Sequence, residues 1–133
     1  MGLRDVDAHS HVISAPIGRV VKELVDLLGP TLVATIGGVN ETRAVAQWLD
    51  ERKPQRPQVL RFALQLALMV GTVGDVAMIR AWFQGSNPHL NDRSPAILLR
   101  SRQLEEIQEG LMSAARAFAA AISQPNVTYP ITS

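Results

Sequence analysis

Apolar residues recur along most of the chain at spacings of three and four, which place side chains on one face of an α-helix. The segment 17–28 is the clearest example, with Ile, Val and Leu at these spacings. Apolar–polar alternation, which is typical of strands, never extends over more than a few residues. The pattern therefore predicts an all-α fold of about seven helices. Their predicted ranges are 17–28, 32–36, 41–50, 57–70, 75–84, 95–100 and 104–122.

Glycine and proline mark the ends of these helices. Gly29-Pro30 ends the first helix, and Gly37-Gly38 permits the positive backbone dihedral angles of a tight turn. Pro57 suits the first turn of the fourth helix. Side-chain oxygens that can accept hydrogen bonds from free amides are expected to cap three helices. The three expected N-cap residues are Thr31, Asn40 and Ser94.

The chain is predicted to have four segments. Residues 1–16 are polar and without periodicity, which indicates a mobile arm, and residues 124–133 indicate a flexible tail. Two helical units, 17–70 and 71–123, lie between them. Within these units the apolar stripes place Leu49, Val76 and Ile97 on the inner faces of their helices.

Composition narrows the possible functions. With 133 residues the chain is too short for a catalytic barrel of about 250 residues. Cysteine is absent, which excludes disulfides, thiolate metal sites and cysteine nucleophiles, and a cytoplasmic location is the simplest expectation. Aromatic residues make up 5%, too few for a surface that stacks single-stranded bases. No apolar stretch is long enough to cross a bilayer, so we expect no membrane association.

One short stretch near the N-terminus has the residues of a metal site. Asp7, His9 and His11 alternate as the ligands of some metal-dependent hydrolases do. Such sites draw further ligands from other strands of a barrel, and this chain offers only His89 besides. No nucleophile, base and orienting group come together elsewhere in the sequence. We therefore expect no metal, no cofactor and no catalytic residues.

The segment 31–49 has the pattern of a DNA-binding helix-turn-helix. Ala34 and Gly38 stand where a small residue and a turn glycine are needed, and Val39, Val45 and Trp48 would be buried anchors. The polar residues of the second helix could then face a major groove, and basic residues after it could contact phosphates. The expected groove-facing residues are Asn40, Glu41, Thr42, Arg43 and Gln47, and the expected phosphate contacts are Arg52, Lys53, Arg56 and Arg61. A helical hairpin with a solvated polar face explains this spacing about equally well.

The chain resembles the Xre/MbcA/ParS-type antitoxins, which join an N-terminal helix-turn-helix to a C-terminal toxin-binding domain. The first matching stretch, residues 36–48, is IGGVNETRAVAQW, and the second, residues 82–99, is WFQGSNPHLNDRSPAILL. The second contains the more specific motif: Trp, then Asn-Pro-x-Leu, then Arg-Ser-Pro and a Leu-Leu pair. An acidic, alanine-rich last helix follows, and the resemblance covers roughly residues 17–121. One departure is that Val45 and Trp48 stand one residue late after the turn glycine.

The resemblance implies a cytoplasmic antitoxin that binds its own operator DNA as a homodimer and binds a RES-domain toxin, which consumes NAD. It assigns 17–70 to DNA binding and 71–123 to toxin binding. The resulting DNA-binding candidates are Asn40, Thr42, Arg43, Gln47, Arg52, Lys53 and Arg56. The toxin-binding candidates are Asn87, His89, Arg93, Arg100 and Arg102, and three of these form a second cationic patch.

Two other functions remain open from the sequence. The protein could be a stand-alone helix-turn-helix transcription regulator whose C-terminal domain mediates oligomerisation. It could also be an interaction protein that has lost DNA binding, because its net charge is only +1. A further hypothesis is that the apolar strip 127–131 enters a cleft of the partner.

Overall fold

A computed structural model describes residues 15–50 and 52–122 of the chain. These residues form seven α-helices and one 3-10 turn, and the predicted all-α class is confirmed. Within the described ranges the only strand-like feature is an isolated bridge between Asn87 and Arg93. The helices are α1 Ile17–Leu28, α2 Pro30–Gly37, α3 Thr42–Asp50, α4 Pro57–Gly71, α5 Val76–Gln84, α6 Pro95–Ser101 and α7 Leu104–Ile122, with the 3-10 turn at Pro88–Leu90 between α5 and α6.

Helix α4 lies at the centre of the fold. It packs against α1, α2, α5 and α7, and apolar residues occupy most of its circumference. A helix that is apolar on nearly every side must be surrounded by others to be stable in water. The buried members of α4 are Val59, Leu60, Phe62, Ala63, Leu64, Leu66, Ala67, Met69 and Val70.

The buried side chains of the described residues belong to one cluster, which runs from Ala15 to Ala115. Helix α4 ends at Gly71, one residue beyond the predicted boundary after residue 70. Side chains on both sides of that boundary nevertheless contribute to the same cluster, because α4 contacts α1 on one side and α7 on the other. The predicted arm up to residue 14, with the Asp7, His9 and His11 motif, and the tail from residue 124 lie outside the described residues.

Two of the three expected caps are wrong. Helix α2 begins at Pro30 with Gly29 as its N-cap, so Thr31 lies inside the first turn. Proline suits the first helical position because the amide it lacks has no partner there. Asn40 stands two residues before α3, which begins at Thr42, and its side chain has another partner, described below. The Ser94 cap is confirmed, since its Oγ accepts from the amide of Ile97 at 3.2 Å.

Three apolar residues expected on inner faces are exposed instead. Ile97 is 49% exposed because the buried side of the short helix α6 is already occupied by other residues, namely Pro95, Ala96, Leu98 and Leu99. Val76 is the first residue of α5, on the turn before the buried Ile79, and is 40% exposed. Leu49, near the end of α3, is 42% exposed and lines an open cleft beside α1.

Candidate nucleic-acid interface

Helices α2 and α3 are joined by the four residues 38–41, in a tight turn. Gly38 has φ +86° and ψ 18°, a left-handed conformation that glycine adopts without steric penalty. The amide of Gly38 donates to the carbonyl of Thr35 at 3.2 Å, and that of Val39 donates to the carbonyl of Ala34 at 3.0 Å. These bonds satisfy carbonyls that the end of α2 leaves free. The expected glycine turn is therefore confirmed at Gly38.

The packing of α3 on α2 depends on Gly37, a role that was not predicted from the sequence. A Cβ atom at Gly37 would lie 2.6 Å from Cη2 and 2.9 Å from Cζ3 of Trp48. The indole of Trp48, only 7% exposed, therefore lies directly on the backbone of Gly37. The available sequence signal was the Gly-Gly pair with a tryptophan on the next helix.

The outward face of α3 is polar and exposed. Val45 and Trp48 are buried, so the residues on the opposite side of the helix point to solvent. An open cleft of about 380 Å³ lies at the start of this face, lined by residues from Val39 to Gln47. The exposed residues include three of the predicted groove-facing residues, Thr42, Arg43 and Gln47, together with Ala46 and Asp50.

Three of the predicted groove contacts, Asn40, Glu41 and Arg43, have partners within the chain. Arg43 Nη2 lies 3.1 Å from Glu41 Oε1, but both side chains are more than two-thirds exposed, so this ion pair is weak and can exchange partners. Asn40 is held more firmly, because its Oδ1 accepts from Arg100 Nη2 at 2.8 Å. Asn40 therefore belongs to the turn rather than to the exposed face of α3.

The expected cluster of four phosphate-contacting cations is divided. Arg52 and Lys53 are exposed on the segment between α3 and α4. Arg56 donates to the backbone carbonyls of Arg100 and Arg102, at 3.1 and 3.3 Å. Arg61 Nη1 donates to the carbonyl of Ala15 at 2.7 Å. Arg56 and Arg61 use donors within the fold, which leaves Arg52 and Lys53 as the exposed pair of these four cations.

The segment after α5 folds into a compact corner. Asn87 Oδ1 accepts from the amide of His89 at 2.9 Å, and the amide of Asn87 donates to the carbonyl of Arg93 at 3.2 Å. Asn91 and Asp92 have φ values of 57° and 65°, and the amide of Arg93 donates to the carbonyl of Leu90 at 3.1 Å. Two successive positive φ values with this bond define a type I′ turn.

This corner brings together three of the predicted toxin contacts but leaves out the third arginine candidate, Arg100. His89, Arg93 and Arg102 line an open cleft of about 260 Å³ that Glu106 also borders. Arg100, expected in the same cationic patch, points away from it and donates to residues at the end of α2 and in the following turn. The cationic patch therefore has two arginines, because the third is bound inside the fold.

A second, apolar groove borders the corner. It lies between the end of α5 and α7 and is lined by Trp82, Pro88, Phe118 and several alanines. Trp82 packs edge-to-face on Phe83, with ring centroids 5.1 Å apart, and its buried Nε1 has no acceptor among the described residues. In the sequence, Trp82 stands out only as the tryptophan that begins the motif 82–99.

None of the described helices is both long and apolar enough to cross a membrane. Residues 15–50 and 52–122 contain no group of three or more acidic or histidine side chains that could hold a metal ion. Comparison of the chain with protein-family models, with curated proteins and with solved structures gives no significant match.

Proposed function

We propose that this protein is a cytoplasmic antitoxin that represses its own operon and neutralises a RES-type toxin by direct binding. It binds operator DNA as a homodimer, with α3 as the recognition helix in the major groove. The unit 71–123 binds the toxin, which consumes NAD. The protein itself carries out no catalysis.

The packing of α2 against α3 is the observation that supports DNA binding most directly. Gly37 and Gly38 together allow α3 to approach α2 closely, and Trp48 fixes that approach on the buried side. The opposite side of α3 is left polar, as a helix that contacts base edges requires. Exposed Arg52 and Lys53 follow directly and can contact phosphates.

The toxin-binding part rests on the resemblance and on the exposure of the corner after α5. His89, Arg93 and Arg102 present a basic and aromatic surface around one cleft. Arginine forms two parallel hydrogen bonds to a carboxylate, so this surface suits acidic groups on a protein partner. The apolar groove beside Trp82 adds buried area next to that charged cleft.

Binding to the DNA upstream of its own gene tests the first half of the proposal. The affinity for DNA falls as salt concentration rises, and the log–log plot should become less steep by about 0.9 for each phosphate contact removed. Arg52→Ala with Lys53→Ala removes two contacts from each protomer of the homodimer, so the slope should become less steep by about 3.6. Gln47→Ala should reduce discrimination between operator variants by about 1–3 kcal/mol. Arg116→Ala removes an exposed cation of α7, away from the proposed recognition helix, and as the control it should leave the slope unchanged.

If the wild-type protein binds no such DNA at low or moderate salt, it is instead an interaction protein without DNA binding. If it binds DNA but neither relieves toxicity nor co-purifies with the product of a neighbouring RES-domain gene, it is a stand-alone regulator.

Arg93→Ala with Arg102→Ala should weaken the toxin complex by about tenfold or more, since hydrogen bonds to charged groups contribute about 1.5–3 kcal/mol each. Arg116→Ala again serves as the control.

A further inference from the structure

Arg100 stands at the end of α6 and reaches across to the turn before the proposed recognition helix. Its Nη1 donates to the carbonyls of Thr35 and Val39, at 3.0 and 3.1 Å. Its Nη2 donates to Asn40 Oδ1 at 2.8 Å. The guanidinium therefore has partners both at the end of α2 and in the turn 38–41.

Arg56 completes the same network from the start of α4. Its guanidinium donates to the carbonyls of Arg100 and Arg102, so it binds the end of α6 directly. Its side chain also lies over Gly38, where a Cβ would be 3.5 Å from Arg56 Cδ. The turn 38–41 is thus covered by two arginines, and one of them is supplied by the second half of the chain.

The chemistry of these contacts suits a restraint on the turn. The last carbonyls of a helix lack partners within the helix and carry a partial negative charge, which favours a cation beside them. The guanidinium and the carbonyls of Thr35 and Val39 are partly buried, so water competes poorly for these two bonds, whereas the bond to Asn40 is exposed. The planar fork of arginine can bond several acceptors at once, whereas lysine offers a single point charge.

We propose that Arg100 is a positioning residue for α3: it fixes the turn 38–41 and so sets the orientation of the recognition helix, although it belongs to the unit assigned to toxin binding. The proposal rests on the proposed function, because it gives that orientation a role in DNA binding. DNA affinity then depends on the conformation of the segment 93–102. A protein partner that changes this conformation changes DNA affinity, and by linkage DNA changes the affinity for the partner.

Amide hydrogen exchange tests the structural step without DNA. In Arg100→Gln the amides of residues 38–48 should exchange roughly ten- to a hundredfold faster, as expected for loss of hydrogen bonds to a charged group. The buried α7 amides of Leu111 and Ala115 should keep their wild-type rates. Arg102→Gln is the matched control, since Arg102 is exposed on the same segment, and it should leave both groups of amides unchanged. Arg100→Lys should lie between wild type and Arg100→Gln.

The proposal is overturned if exchange in Arg100→Gln is unchanged at residues 38–48, or if it rises equally throughout the chain, since the second result would mean general destabilisation.

A DNA-binding measurement tests whether the fixed turn matters for function. Arg100→Gln should lower affinity for the upstream DNA by tenfold or more with an unchanged salt slope, because no phosphate contact is removed. An unchanged affinity would contradict a positioning role, and so would a slope less steep by about two, which is expected if each protomer of the homodimer lost one phosphate contact. If the wild-type protein binds no DNA, the proposed function fails while the exchange result still decides whether Arg100 fixes the turn.

Discussion

At the scale of single residues, the two adjacent glycines 37 and 38 have different physical roles. Gly38 adopts a positive φ that other residues rarely adopt. Gly37 has ordinary helical geometry and is needed for space, because the ring of Trp48 lies where a Cβ would be. The helix-turn-helix geometry therefore requires one glycine for backbone conformation and one for packing.

Replacing Gly37 with alanine separates packing from helix propensity. Alanine favours helix by about 1 kcal/mol over glycine, so propensity alone predicts stabilisation. We expect Gly37→Ala to lower the free energy of unfolding by about 1–3 kcal/mol instead, because Trp48 must move. Urea denaturation followed by circular dichroism measures this change, and Trp48 fluorescence should shift with it.

The matched control is Gly110→Ala in α7. A Cβ at Gly110 would meet nothing within 4 Å, so this variant should gain about 0.5–1 kcal/mol. A Gly37→Ala protein at least as stable as wild type would show that Trp48 can shift without loss.

Residues whose partners are near in the sequence were predictable, and those with distant partners were not. Gly38 and Ser94 act on amides and carbonyls within a few residues, so local pattern was enough. Arg100 has partners 60 to 65 residues away, and only the folded chain brings them together. The positive charge of Arg100 predicted a contact with a partner at the surface. In the folded chain its guanidinium instead donates to the carbonyls of Thr35 and Val39.

At the scale of elements, α6 is notable for being only seven residues long. Helices this short are unstable in isolation, because nucleation fixes several residues for few hydrogen bonds. Both ends of α6 are stabilised: Ser94 caps the first turn, Pro95 begins the helix, and Arg56 binds carbonyls at its end. Sequence predicted the start of α6 from Ser94 and Pro95, but nothing local indicated Arg56.

The Ser94 cap gives a prediction at this scale. Ser94→Ala removes the acceptor for the amide of Ile97 and should lower the free energy of unfolding by about 1 kcal/mol. Ser113→Ala makes the same chemical change at an exposed site within α7 and should raise stability by a few tenths of a kcal/mol. Chemical denaturation of both variants measures the difference. Equal effects of the two substitutions would mean that the cap contributes nothing to stability.

At the scale of the whole molecule, α4 joins the two predicted halves into one core. Its side chains contact α1 and α2 from the first half and α5 and α7 from the second. Helix positions were predictable because they follow from periodicity along the sequence. The only sequence signal for the central place of α4 was the broad apolar stripe of residues 59–68. Which helices pack against α4 was not predictable, because that choice depends on how the surfaces of the helices fit together.

The shared core predicts that the two halves unfold together. Trp48 lies in the first half and Trp82 in the second, so single-tryptophan variants report on each half separately. In Trp82→Phe and in Trp48→Phe, the fluorescence of the remaining tryptophan and circular dichroism should give the same midpoint of unfolding by urea. Trp48 fluorescence changing at a lower urea concentration than helix content would instead indicate two independent domains.

The contact between Arg100 and Val39 spans 61 residues of sequence and therefore has a consequence for synthesis on the ribosome. At ~5–20 residues per second, Arg100 is added about 3–12 s after the turn residues. During that interval water takes the place of Arg100 at the carbonyls of Thr35 and Val39. If the protein has the proposed function and Arg100 positions α3, a nascent chain that still lacks α6 binds operator DNA poorly, and repression begins only after α6 has been synthesised.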